Sequence, residues 1–250
     1  MSRTWSVVVL GGGPGGYEAA LVAARLGASV TVVDRDGVGG SCVLTDCVPS
    51  KSLISTAHVL RRMGAAREHG IDLPERPRAG DLREVNSRIL ALAAAQSADI
   101  LARLQADGVR VCRGTGRLLA ADRVHVDLVD GGTEELTADV VLVATGATPR
   151  VMSTAVPDGE RILTWTQIWG LAELPERLVV VGSGVTGAEL AQAYLGLGSV
   201  VTLVSSRDQV LPGEDSDAAA VIEEVFRREG MTVLGRSRMS AVERTADGVL

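Results

Sequence analysis

Cys42 and Cys47 are the residues whose type and spacing most clearly suggest chemistry. They stand with four residues between them in the run Cys42-Val43-Leu44-Thr45-Asp46-Cys47-Val48-Pro49-Ser50-Lys51. Two cysteines this close admit redox exchange, metal binding or coincidence. Redox exchange needs a thiolate, which is the nucleophilic form of the side chain. A tetrahedral zinc site needs further Cys or His ligands at suitable spacing. None is present, because His58, His69 and His125 are isolated and Cys112 lies in a strand-like run as a small buried hydrophobe. No metal site is therefore expected. Three cysteines are also too few and too uneven in number for a secreted disulfide framework.

The second kind of candidate is a pair of glycine clusters. Gly11, Gly13 and Gly16, with Pro14 and Gly15 between them, follow the apolar run Trp5–Leu10. Gly182, Gly184 and Gly187 follow Leu178–Val181. In a strand–G-x-G-x-x-G–helix unit the first glycine makes the turn and the second admits a pyrophosphate close to the backbone. The third lets helix and strand pack, and the phosphates rest on the helix N-terminus. One such motif is weak on its own; two at matching offsets form an internal repeat. The strand after the first cluster closes at Asp34, and the strand after the second closes at Ser205. A carboxylate there suits an unphosphorylated adenosine ribose. A serine followed by Ser206 and Arg207 does not repel a 2′-phosphate, which an arginine fork can pair. The first cradle thus suits FAD. The second suits NADP or NAD, with NADPH preferred.

Secondary-structure signals supply the elements that hold these residues. Buried strands are read at Trp5–Leu10, Val30–Val33, Asp139–Ala144, Leu178–Val181 and Val200–Val204. Helices are read at Tyr17–Leu26 (ending at Gly27), Pro49–Met63, Asp81 to about Ala106, and Ala188–Leu197. Leu73–Gly80 reads as a surface loop and Thr148–Glu160 as a linker. From Val109 short strands are expected, with turns at Gly114–Gly116, Asp122 and Gly131-Gly132, forming a β-meander inserted in the first unit. The expectation is an α/β fold of two Rossmann-like three-layer domains, over residues 1–150 and 151–250.

Composition excludes other classes. A net charge of -6 and 2% aromatic content argue against nucleic acid as a partner. No apolar stretch is long enough to span a membrane, and the run before Gly11 is too short for a secretory signal. A cytoplasmic protein is expected.

The cysteine run, with Gly39-Gly40 before it, Ala144-Thr145-Gly146 and the second cradle ending in Glu189, resembles the FAD-dependent pyridine nucleotide–disulfide oxidoreductases. The resemblance covers essentially the whole chain. It implies that Cys47 lies against the flavin, that Cys42 exchanges with substrate, and that Lys51 sits beside the flavin and pairs with Glu189. It assigns cofactor contacts to Gly40, Ser41, Cys42, Lys51, Thr115, Gly116, Ala144, Thr145 and Gly146, besides the two cradles. Val43-Leu44-Thr45-Asp46 departs from the Leu-Asn-Val-Gly usual between the cysteines of disulfide reductases, and an acid close to Cys47 would raise its pKa. That segment, Ala95–Ile100 and Ile162–Trp165 look most like the actinobacterial lipoamide-dehydrogenase-like NAD(P)H–quinone reductases.

The implied activity is hydride transfer from NAD(P)H to FAD and on to a quinone. The alternatives are a dihydrolipoyl dehydrogenase or related disulfide reductase using Cys42 and Cys47, and a non-catalytic nucleotide-binding fragment. Family members are nearly twice as long. A Gly-Asp motif completing the FAD site and a C-terminal homodimerisation domain with a His-Glu pair are expected outside this sequence, which reads as stopping in mid-strand near Leu250.

Overall fold

The near-continuous apolar runs of the first strands, covered on both faces, dictate a layered unit. The computed structural model describes residues 4–72 and 81–250. Strands β1 (Ser6–Leu10), β2 (Ser29–Asp34) and β6 (Val140–Val143) are parallel, with β1 in the middle. Strand β3 (Arg110–Ala120) extends the sheet beside β2, followed by β4 (Arg123–Leu128) and β5 (Thr133–Thr137), in the order β5-β4-β3-β2-β1-β6. Val9, Val30 and Val32 turn to one face, where Ala20 and Leu21 of α1 (Pro14–Arg25) and Leu104 of α4 (Leu82–Ala106) cover them. Val8, Leu10 and Val33 turn to the other, under Val124, Val126 and Leu136 of the meander. The expected meander is thus a layer of the first unit.

Gly114 and Gly116 correct one expectation. They make no turn, because β3 runs unbroken through both. Arg110–Arg113 pair in parallel with β2, and the strand then pairs antiparallel with β4 from Gly114 onward. A Cβ at Gly114 would lie 2.6 Å from the carbonyl oxygen of Asp127, and one at Gly116 would lie 2.6 Å from Cδ2 of Leu10. The glycines are there for close approach, a role that strand glycines share with bends.

The second unit builds on three parallel strands in the order β7 (Arg177–Val181), β8 (Val200–Val204) and β9 (Thr232–Leu234). Helix α5 (Val185–Leu197) is buried at Ala188, Leu190, Ala191, Ala193, Tyr194 and Leu197, so it is apolar nearly all round. It contributes to one core with Val201 and Leu203 of β8 and with Leu53 and Ala57 of α3 (Cys47–Gly64). Helix α6 (Ser216–Arg228) adds Phe226 to that core. Its N-terminus is capped by the Asp215 carboxylate, which accepts the amides of Asp217 and Ala218. Asp81 caps α4 in the same way through the amide of Arg83.

By packing, the described residues of Met1–Val48 and Leu90–Thr148 form one unit, and those of Pro49–Ile89 and Pro149–Leu250 form the other. Helices α3 and α4 contribute to both. The loop expected over Leu73–Gly80 lies outside the described residues. The strand expected to run on to Leu250 is instead a tight antiparallel return, with Glu243 and Leu250 exchanging both backbone hydrogen bonds at 2.9 Å around a turn at Thr245–Gly248. No helix among the described residues is long and apolar enough to cross a membrane.

Candidate functional site

The two glycine clusters have the same backbone geometry. Gly11 and Gly182 take left-handed φ values of +101° and +110°, which only glycine adopts without strain. Their amides donate to the strand-end carbonyls of Val33 and Val204 at 2.8 and 2.9 Å. Gly13 and Gly184 cap α1 and α5 in the same extended conformation (φ -68° in both), leaving the first amides of each helix unpaired by side chains. A Cβ on Gly16 would lie 1.9 Å from the carbonyl oxygen of Gly11, and one on Gly187 would lie 1.9 Å from that of Gly182. The third glycine is therefore compulsory in both.

Around the first cradle the chain closes with three further left-handed glycines. Gly37, Gly39 and Gly40 have φ of +126°, +104° and +56°. The amide of Gly39 donates to the carbonyl of Gly12 at 2.7 Å, and a Cβ on Gly40 would come within 2.7 Å of Cα of Gly13. Gly11 abuts Ala144, whose amide continues the β1–β6 ladder by donating to Leu10 at 2.8 Å. Thr145 and Gly146 follow, both exposed. Thr115 and Gly116 sit within β3, Thr115 exposed and Gly116 half-buried.

Asp34 organises this end of the sheet. One carboxylate oxygen accepts the amide of Gly12 at 2.7 Å, and the other accepts those of Asp36 and Gly37 at 3.0 and 2.7 Å. A carboxylate oxygen accepts more than one donor, so Oδ2 retains capacity for a sugar hydroxyl.

The cysteines lie beyond the glycine loop. Cys42 is half-buried in α2 (Gly40–Leu44), a short helix not anticipated from the sequence, and Cys47 is exposed at the first position of α3. Thr45 and Asp46 link the two helices, and both of their amides donate to the carbonyl of Ser41, at 3.0 and 2.7 Å. That convergence fixes the backbone between the thiols. Tyr17 of α1 is pushed above its ordinary pKa, first by burial and then by the charges of Glu18 and Cys42. Cys112 is pushed up by burial beside Glu134, which keeps it a thiol.

In the second unit, Lys51 of α3 and Glu189 of α5 form an ion pair with Nζ and Oε2 2.7 Å apart. Ser50, which the sequence reading did not single out, is 1% exposed and donates its hydroxyl to the same Oε2 at 3.2 Å. Helix packing sets this up: a Cβ on Gly196 of α5 would stand 2.9 Å from Cβ of Ala57, so the two helices run in near contact. Ser205 is buried, whereas Arg207 is exposed on the loop after β8. The sequence signal for Ser50 was its place in the Pro-Ser-Lys run, but its burial is a tertiary property. No group of three or more His, Cys, Asp or Glu suited to a metal occurs among the described residues.

A protein of Mycobacterium tuberculosis (strain H37Rv) named NAD(P)H dehydrogenase (quinone) is 50% identical over 98% of this chain and 51% of its own length. The dihydrolipoyl dehydrogenase of Bacillus subtilis (strain 168) is 34% identical over 96% of this chain and 52% of its own. The chain thus spans about half the length of the curated relatives it matches. Among solved structures, LpdA from Mycobacterium tuberculosis superposes with a TM-score of 0.91 at 48% identity, covering 98% of this chain and 54% of that one. The HOCl-induced flavoprotein disulfide reductase RclA from Escherichia coli has a TM-score of 0.79 at 21% identity, covering 98% of this chain and 52% of that one, and so shares the fold. The family model described as pyridine nucleotide-disulphide oxidoreductase matches residues 5–250, so with this fold, the doubled cradle and the cysteine pair the chain belongs to that family.

Proposed function

We propose that this chain is the nucleotide-binding part of a cytoplasmic FAD-dependent oxidoreductase that passes reducing equivalents from NAD(P)H to a quinone. The observation that carries this reading is the doubled cradle, with a carboxylate at the end of β2 and none at the end of β8. FAD would be held by the helix entrance at Gly13–Gly16, with Asp34 accepting ribose hydroxyls. Gly11, Gly40 and Ala144 pack backbone on backbone around this entrance. NAD(P)H would be held at Gly184–Gly187. When bound, FAD supplies the two-electron acceptor that the protein side chains lack. Lys51 brings a cation next to the segment carrying Cys47, and Glu189 with Ser50 fixes its position. A quinone acceptor is supported by the name of the 50%-identical relative and by the Val43–Asp46 segment. The homodimer implied for the full-length protein belongs to the same proposal and is tested by its sedimentation.

A second reading is favoured by the presence of both cysteines in adjoining helices. The Cys42 thiolate would attack an acceptor disulfide and release one acceptor thiol. The Cys47 thiolate would then displace the second, leaving a Cys42–Cys47 disulfide to be reduced by two further electrons.

The first test is an anaerobic titration of the FAD-loaded chain with NADPH, followed by absorbance. Bleaching of the flavin band supports transfer between the two cradles. A chain that takes up no FAD sinks the reading. In the full-length protein, Cys42→Ser should leave quinone reduction intact and abolish disulfide reduction; loss of both would favour the second reading.

A further inference from the structure

Alike in their glycines, the cradles differ at one coupled pair of positions. In the first, Gly12 and Asp34 are 22 residues apart and joined by the 2.7 Å hydrogen bond from the Gly12 amide to Oδ2. A Cβ on Gly12 would lie 3.2 Å from both Cβ and Oδ2 of Asp34 and 3.0 Å from Cγ1 of Val38. The carboxylate and a side chain at position 12 therefore compete for one space. In the second, the equivalent residues are Ser183 and Ser205, again 22 apart, joined by a 2.6 Å hydrogen bond from one hydroxyl to the other. They are 4% and 1% exposed.

Ser205 keeps one of the aspartate's three backbone hydrogen bonds. It accepts the amide of Arg207 at 3.1 Å, as Asp34 accepts that of Asp36 at 3.0 Å. The carbonyl of Ser183 accepts the amide of Leu211 at 2.8 Å, as that of Gly12 accepts Gly39 at 2.7 Å. Where the first cradle has a carboxylate bonded to the Gly12 amide, the second has the Ser183 and Ser205 hydroxyls closing a neutral, buried contact. The loop beyond carries Ser206 and Arg207, both exposed, where a 2′-phosphate would meet a donor and a cation.

We propose that Ser183 and Ser205 form one specificity element that selects a 2′-phosphorylated adenosine, and that Ser183 is the half that bars a carboxylate from position 205. This rests on reading the second cradle as a nucleotide site. It adds that the choice between the two nicotinamide nucleotides is written at two positions, so that changing either alone does not reverse it.

The test is calorimetric binding of ADP-ribose and 2′-phospho-ADP-ribose to the chain and its variants, each checked for folding by its thermal melt. The unaltered chain should bind the phosphorylated probe at least about tenfold tighter, a 1.4 kcal/mol difference. Ser205→Asp should lose that preference without gaining ADP-ribose affinity. Adding Ser183→Gly to it should raise ADP-ribose binding by about tenfold, a non-additive response expected only of coupled sites. Adding Ser183→Ala instead, which keeps the Cβ, should give no such gain. Equal gains from Ser205→Asp with and without Ser183→Gly would overturn the coupling. Equal binding of the two probes by the unaltered chain overturns the selection, whatever the variants do. Failure of both probes to bind sinks the nucleotide reading of the cradle itself, and the proposal with it.

Discussion

Nζ of Lys51 stands 2.7 Å from Oε2 of Glu189, the first on the helix that Cys47 begins and the second on the helix that the second cradle opens. The lysine side chain is 56% exposed, so the pair contributes only about 0–1 kcal/mol to stability. A pair of such small structural worth separates function from folding. Glu189→Gln keeps an oxygen to accept from Ser50 but loses its charge, so it should lower stability by about 1 kcal/mol yet slow flavin reduction by NAD(P)H by about tenfold or more, the scale of a 1.4 kcal/mol loss at the transition state. Stopped-flow absorbance reads the rate. An unchanged rate would remove the pair from the proposed machinery.

Ser50 behaves differently because it is buried. Its hydroxyl reaches a charged acceptor, and hydrogen bonds of that kind are worth about 1.5–3 kcal/mol. Ser50→Ala should therefore lower stability by that amount in a urea titration. It should also slow flavin reduction in parallel with Glu189→Gln, since it loosens the same carboxylate. A stability loss with no change in rate would make Ser50 a purely structural residue.

The first cradle offers a sharper contrast. Gly16→Ala forces a Cβ to within 1.9 Å of a backbone oxygen and should leave little folded protein. At Gly15 an added Cβ meets nothing within 4 Å. In a helix the alanine gains about 0.5–1 kcal/mol over glycine. Gly15→Ala should therefore raise the melting temperature while weakening FAD binding, because the methyl projects where the pyrophosphate is proposed to lie. Thermal melts with and without FAD would show both effects; an unchanged FAD affinity would place the pyrophosphate elsewhere.

Much of this was legible in the sequence, for a physical reason. Strand, cradle and helix are local patterns, and the repeat displayed them twice. Asp81 announced the start of α4 because an N-cap acts on amides two and three residues on. Gly114 and Gly116 were misread because a glycine in a turn and a glycine under a neighbouring strand look alike in sequence; the difference lies in Asp127 on the next strand and in Leu10, far back along the chain. Ser50 and Ser183 carry no mark of burial. Helix α6 was missed despite a readable signal, the Asp215 cap followed by Ala219 and Phe226 at helical spacing.

Part of the molecule's acid sensitivity should reside in the segment after residue 157. Three backbone amides, those of Ile162, Glu160 and Arg161, converge on Asp158 and, with Arg244 nearby, hold its carboxyl well below the usual carboxylate range. A carboxyl so lowered in the folded state stabilises fully above its unfolded pKa of about 4, and that contribution is lost as pH falls toward the folded value. Asp158→Asn should flatten the acid limb of the stability profile, measured by denaturant titration between neutral pH and the acid transition. An unaltered limb would assign the acid sensitivity to other carboxylates.

Strand β3 serves two ladders, one local with β4 and one distant with β2, and this sets an order of assembly. A hairpin closes in about 1–10 μs, whereas a parallel pairing must first pay the entropy of its intervening loop. As the chain leaves the ribosome, β1 and β2 precede the strands that flank them in the sheet, with outer edges open to wrong partners. The meander closes the edge of β2 through β3, and β6 closes that of β1. The first nucleotide cradle matures only when a segment far downstream has been made.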